Sequence, residues 1–193
     1  MFLKSKQEIR KIFSTQRDAL SGMDKNELEK IIIGKISKII EPFLKTHKKI
    51  ALYYPINSEL SLLNLTKKRA SRYLLPVIDP SSKILKFYSW SLGEELISSN
   101  AFASILEPKI QQQEEMPDIV IAPLIASDIQ GNRIGSGKGF YDYTIAELKR
   151  KNPRLIYLGV CFNFQLVDEL IHEIHDQKLD IIITDKREIY CKS

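Results

Sequence analysis

The stretch RIGSGKGFYDY, residues 133 to 143, gathers three glycines, two cations and a carboxylate into eleven positions. Gly135, Gly137 and Gly139 leave the backbone free to bring its amides close to a phosphate, and a helix opening near Phe140 adds its positive end. Arg133 and Lys138 supply the charge a polyphosphate needs, and Asp142 falls in the first helical turn, where a magnesium ion could be held. The stretch is not a Walker A loop, because Asn132 stands where GxxxxGK[ST] needs its first glycine and Gly139 follows the lysine. Nor is it GxGxxG, since the spacing is GxGxG. Spacing alone therefore leaves a phosphate cradle and a plain strand-to-helix connection both open.

A second cationic feature lies at the other end of the chain. Lys6 and Arg10 are four residues apart and share a helix face, with Arg17 two turns further on roughly the same side. Alone, this is an ordinary basic stripe.

These residues must be positioned by a larger frame. Residues 3 to 20 and 24 to 45 read as amphipathic helices, with Ile9, Ile12 and Phe13 in the first, Leu28, Ile32, Ile36, Ile39 and Ile40 in the second, and Asp24 as its N-cap. KIALYYP reads as a buried strand ended by Pro55, and Ser58 as the cap of a third helix reaching to about Arg72. YLLPVI, ILKFYSW and DIVIAP read as strands, FYDYTIAELKRK as a helix, and LIYLGVCF and LDIIITD as two more strands. Apolar runs separated by helices predict one three-layer α/β domain over residues 1 to 193, its mostly parallel sheet covered by helices on both faces. Ligands in such folds sit outside the carboxyl ends of the strands, which is where the glycine stretch falls.

Composition narrows the class. A chain of 193 residues with 44% hydrophobic content buries one sizeable core. The formal charge of +5 and pI near 9.1 allow an anionic partner without naming one. Cys161 and Cys191 form no CxxC pair, which argues against a disulfide framework and a zinc ribbon. No apolar run approaches the roughly 20 residues a bilayer requires, and we expect a soluble, cytoplasmic protein. His172 and His175, flanking Glu173 and followed by Asp176, make HExH rather than HExxH and do not predict zinc. Phe87 and Cys161 read as core. Trp90, at a strand end, could stack on a flat ring, and Tyr53 and Tyr54 fall on opposite faces of their strand, so only one of them is expected to face a pocket.

Taken together, KQEIR with Arg17, YYPINSEL, the KFYSW, GEEL and LEP segment, and PLIASDIQGNRIGSGKGFYD resemble the 5-formyltetrahydrofolate cyclo-ligase family over nearly the whole chain. The resemblance implies an ATP-dependent enzyme that closes 5-formyltetrahydrofolate to the 5,10-methenyl form. On matching positions, Lys6, Arg10 and the loop Arg133, Ile134, Gly135, Ser136, Gly137, Lys138, Gly139, Phe140 and Tyr141 would hold ATP. Asp142 and Asp176 would hold Mg2+. Tyr54, Glu59, Trp90 and the loop from Ser136 to Phe140 would meet the folate, with Arg133, Lys138 and Arg10 as the catalytic charges. The partners implied are small molecules, with no nucleic acid or membrane, and a monomer. Two departures stand out: the family usually has Tyr at Phe140, and Gly-x-x-Phe-Asp where this chain reads LIASD. They leave room for a relative that binds folate or nucleotide without turnover. The basic charge leaves room for an RNA-binding domain, although no RRM, KH or zinc-finger signature is present.

Overall fold

The computed structural model describes residues 5–67, 73–110 and 113–191. Helix α1 spans Lys6–Asp18 and opens with a capping box: the Ser5 hydroxyl accepts from the Glu8 N–H, and the Glu8 carboxylate accepts from the Ser5 N–H. Helix α2 spans Gly22–Lys45. Its N-cap is Ser21, not Asp24; the Ser21 hydroxyl accepts from the Asp24 N–H, placing Asp24 inside the first turn, where its charge suits the helix dipole. Helix α3 spans Phe140–Lys151, the residues periodicity assigns to it.

Seven strands form the main sheet: β1 Ile50–Ala51, β2 Tyr73–Ile78, β3 Leu85–Ser89, β6 Ile119–Pro123, β9 Ile156–Val160, β11 Ile181–Ile183 and β12 Glu188–Tyr190. Their order is β12-β11-β9-β6-β1-β2-β3. Neighbours from β11 to β2 run parallel, and β12 and β3 are antiparallel edges. Short strands build two accessory sheets, β4 Leu96–Ser98 with β5 Leu106–Pro108, and β7 Ala126–Asp128 between β8 Arg133–Ile134 and β10 Leu166–Val167.

Alternation along the strands sorts the core into two sets. Ile32, Ile36, Ile40 and Leu44 of α2 pack with Ile50, Leu75, Ile119, Ile121, Leu158 and Ile183. Ile145 and Leu148 of α3 pack with Ala51, Leu74, Val120, Ala122, Tyr157 and Ile182. Each fully buried isoleucine of α2 contributes about 1.5–3 kcal/mol of transfer free energy. Helix α1 does not lie on the main sheet. Its Ile9 and Phe13 pack with Ala126, Ile134, Val167 and Leu170, so it rides on the β10-β7-β8 sheet.

Two expected elements differ. The strand through KIALYYP pairs regularly only at Ile50 and Ala51, with flanking bonds from Leu52 N–H to Leu74 O and from the Asp118 and Ile119 N–H groups to Lys49 O. The helix expected from Ser58 is absent among the described residues; a 3-10 helix spans Leu63–Lys67, and residues 68–72 lie outside them. Leu60, Leu62 and Leu65 are all buried at spacings of two and three, which a single α-helical face does not accommodate.

Packing is tight where β9 passes beneath the loop that leads to β11. A Cβ on Gly159 would lie 2.5 Å from Leu179 Cδ1 and 2.8 Å from Leu124 Cδ2. Gly159→Ala should cost about 1–3 kcal/mol through overpacking, lowering the thermal midpoint by roughly 2–4 °C per kcal/mol. An unchanged midpoint in a melting experiment would show that the two leucines move aside freely.

Candidate functional site

From β1 the chain passes to β2 on one side, and it later returns to β6 on the other. The carboxyl ends of β1 and β6 thus part in opposite directions, the place where an open α/β sheet leaves a crevice. A cleft of about 620 Å³ occupies it, lined by Tyr53 and Tyr54 after β1 and by Pro123, Leu124 and Ile125 after β6.

The glycine stretch forms one wall. Ile134 to Asp142 all line the cleft, as does Arg133 from β8. Gly139 is the N-cap of α3 with φ +77°, and Gly137 has φ +90°, backbone positions that side chains disfavour. At Gly135 the constraint is contact instead: a Cβ there would come within 2.8 Å of Arg133 Nη1. The first N–H groups of α3, without intrahelical acceptors, open on the same wall.

Helix α1 docks over this loop. Arg10 Nε donates to Gly135 O at 2.8 Å, and the guanidinium lies where a Cβ on Gly137 would meet it at 3.2 Å. Lys6, one turn earlier, donates to Asp176 at 2.7 Å and to Glu173 at 2.9 Å. Burial works to lower the Lys6 pKa, but the hydrogen bonds and charges of Asp176 and Glu173 more than offset it, leaving it raised. For Asp176, burial raises and Lys6 lowers, and the balance sits below the usual carboxylate range.

Arg133 is also buried, 9% exposed, with its guanidinium 5.5 Å from the Tyr157 ring centroid and 5.8 Å from that of Tyr141. Its Nη2 donates to Asp142 Oδ1 at 2.8 Å, and the same oxygen accepts from the Gln177 N–H at 3.1 Å. Burial works against the charge on Arg133, but Tyr157 and Asp142 raise its pKa overall. Burial likewise raises the Tyr141 phenol, which stays protonated. Lys138 reaches toward Phe102, 5.5 Å from the ring, and Phe140 meets Phe102 edge-on with centroids 6.0 Å apart.

Asp128 holds the turn that leads into Arg133. Its Oδ1 accepts from the N–H groups of Gln130 and Asn132, and its Oδ2 from the Asn132 amide and the Leu170 N–H. The neighbouring departure from the family pattern, Ser127, is fully buried and donates to Asn132 O at 2.8 Å. The hydroxyl thereby closes the same β7–β8 turn from within.

Glu59 faces the cleft from the other wall. Its carboxylate accepts from the Ile56 N–H at 3.1 Å. Burial raises its pKa, only partly opposed by that bond and by Arg17 and Lys25. A carboxyl with a raised folded pKa binds more protons folded than unfolded, so its contribution is favourable at low pH and is lost as pH rises through that value. Glu59→Gln should therefore melt higher than wild type at pH 7 and equally near pH 4. A midpoint difference that does not change with pH would contradict this.

Of the expected site residues, Lys6, Arg10, Tyr54, Glu59, the loop from Arg133 to Tyr141, Asp142 and Asp176 all line the cleft. Trp90 does not. It is 3% exposed, packs in the α2 core cluster and donates its indole N–H to Glu94 O. Both Tyr53 and Tyr54 reach the cleft, because regular pairing ends at Ala51 and alternation with it. Sequence reasoning missed the apolar wall of Ile78, Leu85, Phe102 and Ile105 and the cleft-lining Glu173 and His175. HExH was the visible trace of the last two, but Glu173 pairs with Lys6, and His175 Nε2 lies 3.4 Å from Glu173.

An apolar wall beside a loop of cations and open amides has the chemistry of a small-molecule site, one side suited to a flat organic group and the other to a polyanion. The particular family follows from comparison. The sequence matches the family model described as 5-formyltetrahydrofolate cyclo-ligase family over residues 3–185, and the chain belongs to that family. It is 30% identical over 191 residues to the 5-formyltetrahydrofolate cyclo-ligase of Haemophilus influenzae, covering 95% of this chain and 100% of that protein. Its fold is similar to the 5,10-methenyltetrahydrofolate synthetase of Aquifex aeolicus, with a TM-score of 0.79 and 27% identity over 97% of this chain and 93% of that one. It is also similar to the 5,10-methenyltetrahydrofolate synthetase of Mycoplasma pneumoniae, with a TM-score of 0.72 and 25% identity over 94% and 99% of the two chains.

Proposed function

We propose that this chain is a single-domain, cytoplasmic, monomeric enzyme that converts 5-formyltetrahydrofolate and ATP to 5,10-methenyltetrahydrofolate, ADP and phosphate. In this reading α2 and α3 flank the sheet as outer layers and the carboxyl ends of its strands carry the chemistry. The observation that carries it is the docking of α1 on the glycine loop, Arg10 to Gly135 O, across the cleft from Glu59.

The formyl group on N5 is an amide, and its oxygen is a poor leaving group. Attack of that oxygen on the γ-phosphorus of ATP expels ADP and gives an N5-iminium phosphate. N10 adds to the activated carbon and loses its proton, and phosphate departs with the former formyl oxygen. Phosphoryl transfer leaves a protein mainly positioning and charge stabilisation to supply. Lys6, Arg10, Lys138, the loop amides and Arg133 suit the phosphates; Glu59 and Tyr54 suit the folate, beside the loop from Ser136 to Phe140.

Asp142 and Asp176 fit a magnesium ion in chemistry, being hard oxygen donors that line the phosphate side of the cleft. Among the described residues no group of three His, Cys, Asp or Glu gathers around a point, so phosphate oxygens and water would complete the shell. Bound there, the ion would neutralise charge on the β- and γ-phosphates. The nucleotide must then displace Lys6 from Asp176 and loosen Arg133 from Asp142.

The test mixes purified protein with 5-formyltetrahydrofolate and MgATP and follows the near-UV absorbance of the methenyl product, with ATP-free and magnesium-free controls. Product that requires both supports the reading. No product from folded, ligand-stabilised protein overturns it and leaves a binding relative.

A further inference from the structure

Arg17 is the buried cation the site leaves unexplained. It is 8% exposed at the last turn of α1, and its Nε donates to Ser58 Oγ at 3.0 Å. The same hydroxyl donates to the Asp18 carboxylate. Both partners thus belong to the end of α1, and Ser58 sits in the turn that presents Glu59. That turn needs holding: Asn57 has φ +51°, and among the described residues the Glu59 carboxylate bonds within its own turn, to the Ile56 N–H. Lys25 of α2 grips the backbone from the other side, donating to Glu59 O at 3.0 Å.

The opposite end of α1 carries Lys6 and Arg10, which meet Asp176 and Gly135. A helix running from residue 6 to residue 17 spans about 16 Å at 1.5 Å per residue, so one rigid rod touches both walls of the cleft. We propose that Arg17 is a positioning residue that fastens the Glu59 turn to α1, so that occupancy of the phosphate end and of the Glu59 end are energetically coupled through that helix. The inference rests on the reading given under Proposed function. It goes further by assigning Arg17 a role that needs no contact with either ligand.

The experiment compares wild type with Arg17→Ala, Arg17→Lys and Ser58→Ala, as full-length chains. Thermal midpoints are measured with a non-hydrolysable ATP analogue and magnesium, with 5-formyltetrahydrofolate, and with both. In wild type the combined shift should exceed the sum of the single shifts. In Arg17→Ala and Ser58→Ala it should fall to the sum, with KM for the folate raised roughly tenfold or more, the usual size of such couplings, and kcat changed less. Arg17→Lys keeps the charge without the Nε donor and should lie between.

A second readout separates positioning from bulk stability. Glu59 faces Arg17 from α1, Lys25 from α2, Tyr53 from the end of β1 and Tyr141 from α3, and Glu29 of α2 acts on the same Tyr53. Without the guanidinium, the acidic limb of the folate KM profile should move to higher pH in Arg17→Ala and stay in place in Arg17→Lys. Lower midpoints with unchanged coupling and an unchanged pH limb would overturn the inference while leaving the function intact. A wild type that makes no product fails the function itself, and the inference falls with it.

Discussion

Arg133→Ala will lower turnover by roughly 10²–10³, the usual cost of losing one donor aimed at developing charge. It will also weaken the fold, an effect that spacing in the loop does not foretell. The guanidinium is enclosed by Tyr141 and Tyr157 and bonded to Asp142, and its Nε, buried, has no partner among the described residues. Removal leaves the Asp142 carboxylate, 16% exposed, beside one backbone N–H. Breaking such a pair costs about 3–5 kcal/mol when fully buried, and somewhat less here. The double variant Arg133→Ala, Asp142→Ala should recover stability relative to Arg133→Ala and recover no activity. Lys138→Ala, by contrast, should lose rate with an unaltered melting curve, because Lys138 has no ion pair or hydrogen bond among the described residues and meets the Phe102 ring at 5.5 Å. Near-wild-type turnover in both single variants would remove the two cations from the mechanism.

The second large effect lies behind the loop. Asp128→Ala takes away the acceptor for four donors, three backbone N–H groups and the Asn132 amide, at a residue that is fully buried. Each orphaned donor costs about 1–3 kcal/mol, so the total is on the order of 4 kcal/mol or more, against a whole stability of about 5–15 kcal/mol. The expected result is a midpoint lowered by roughly 8–16 °C, or an insoluble chain. Asp128→Asn retains one acceptor oxygen and should fall between. Denaturation of both variants alongside wild type decides it; a loss below a few degrees for Asp128→Ala would mean that water replaces the carboxylate.

The regular elements were legible where one period ran long enough to dominate. α3, the strands Tyr73–Ile78 and Ile119–Pro123, and α2 apart from its cap could all be read from apolar spacing. The short strands β7, β8 and β10 could not, because they are shorter than the window that defines a period and no longer apolar run surrounds them. They carry Arg133 and seat α1, so the frame of the site was the least visible part of the fold. The site residues were legible through the resemblance, and not through their environments. Trp90 shows the difference: a large aromatic at a strand end suits a ligand face and a core equally, and only the packing around α2 decides. Arg17 shows the reverse, a stripe cation whose burial depends on a turn 41 residues away.

The distances in sequence spanned by α1 carry a consequence for how the protein comes to be. Its partners on the two sides of the phosphate wall lie 125 residues on, at Gly135, and 170 residues on, at Asp176. Contacts of such separation form late and slow folding. On the ribosome, the first helix emerges with nothing to sit on, and the lining of the cleft is complete only when the chain has been made as far as Asp176. A nascent or truncated chain that stops short of Glu173 already displays the glycine loop with Lys6 and Arg10 of α1, yet lacks the carboxylates that neutralise Lys6. The arrival of Glu173 and Asp176 is thus also the moment at which the charge of Lys6 becomes matched.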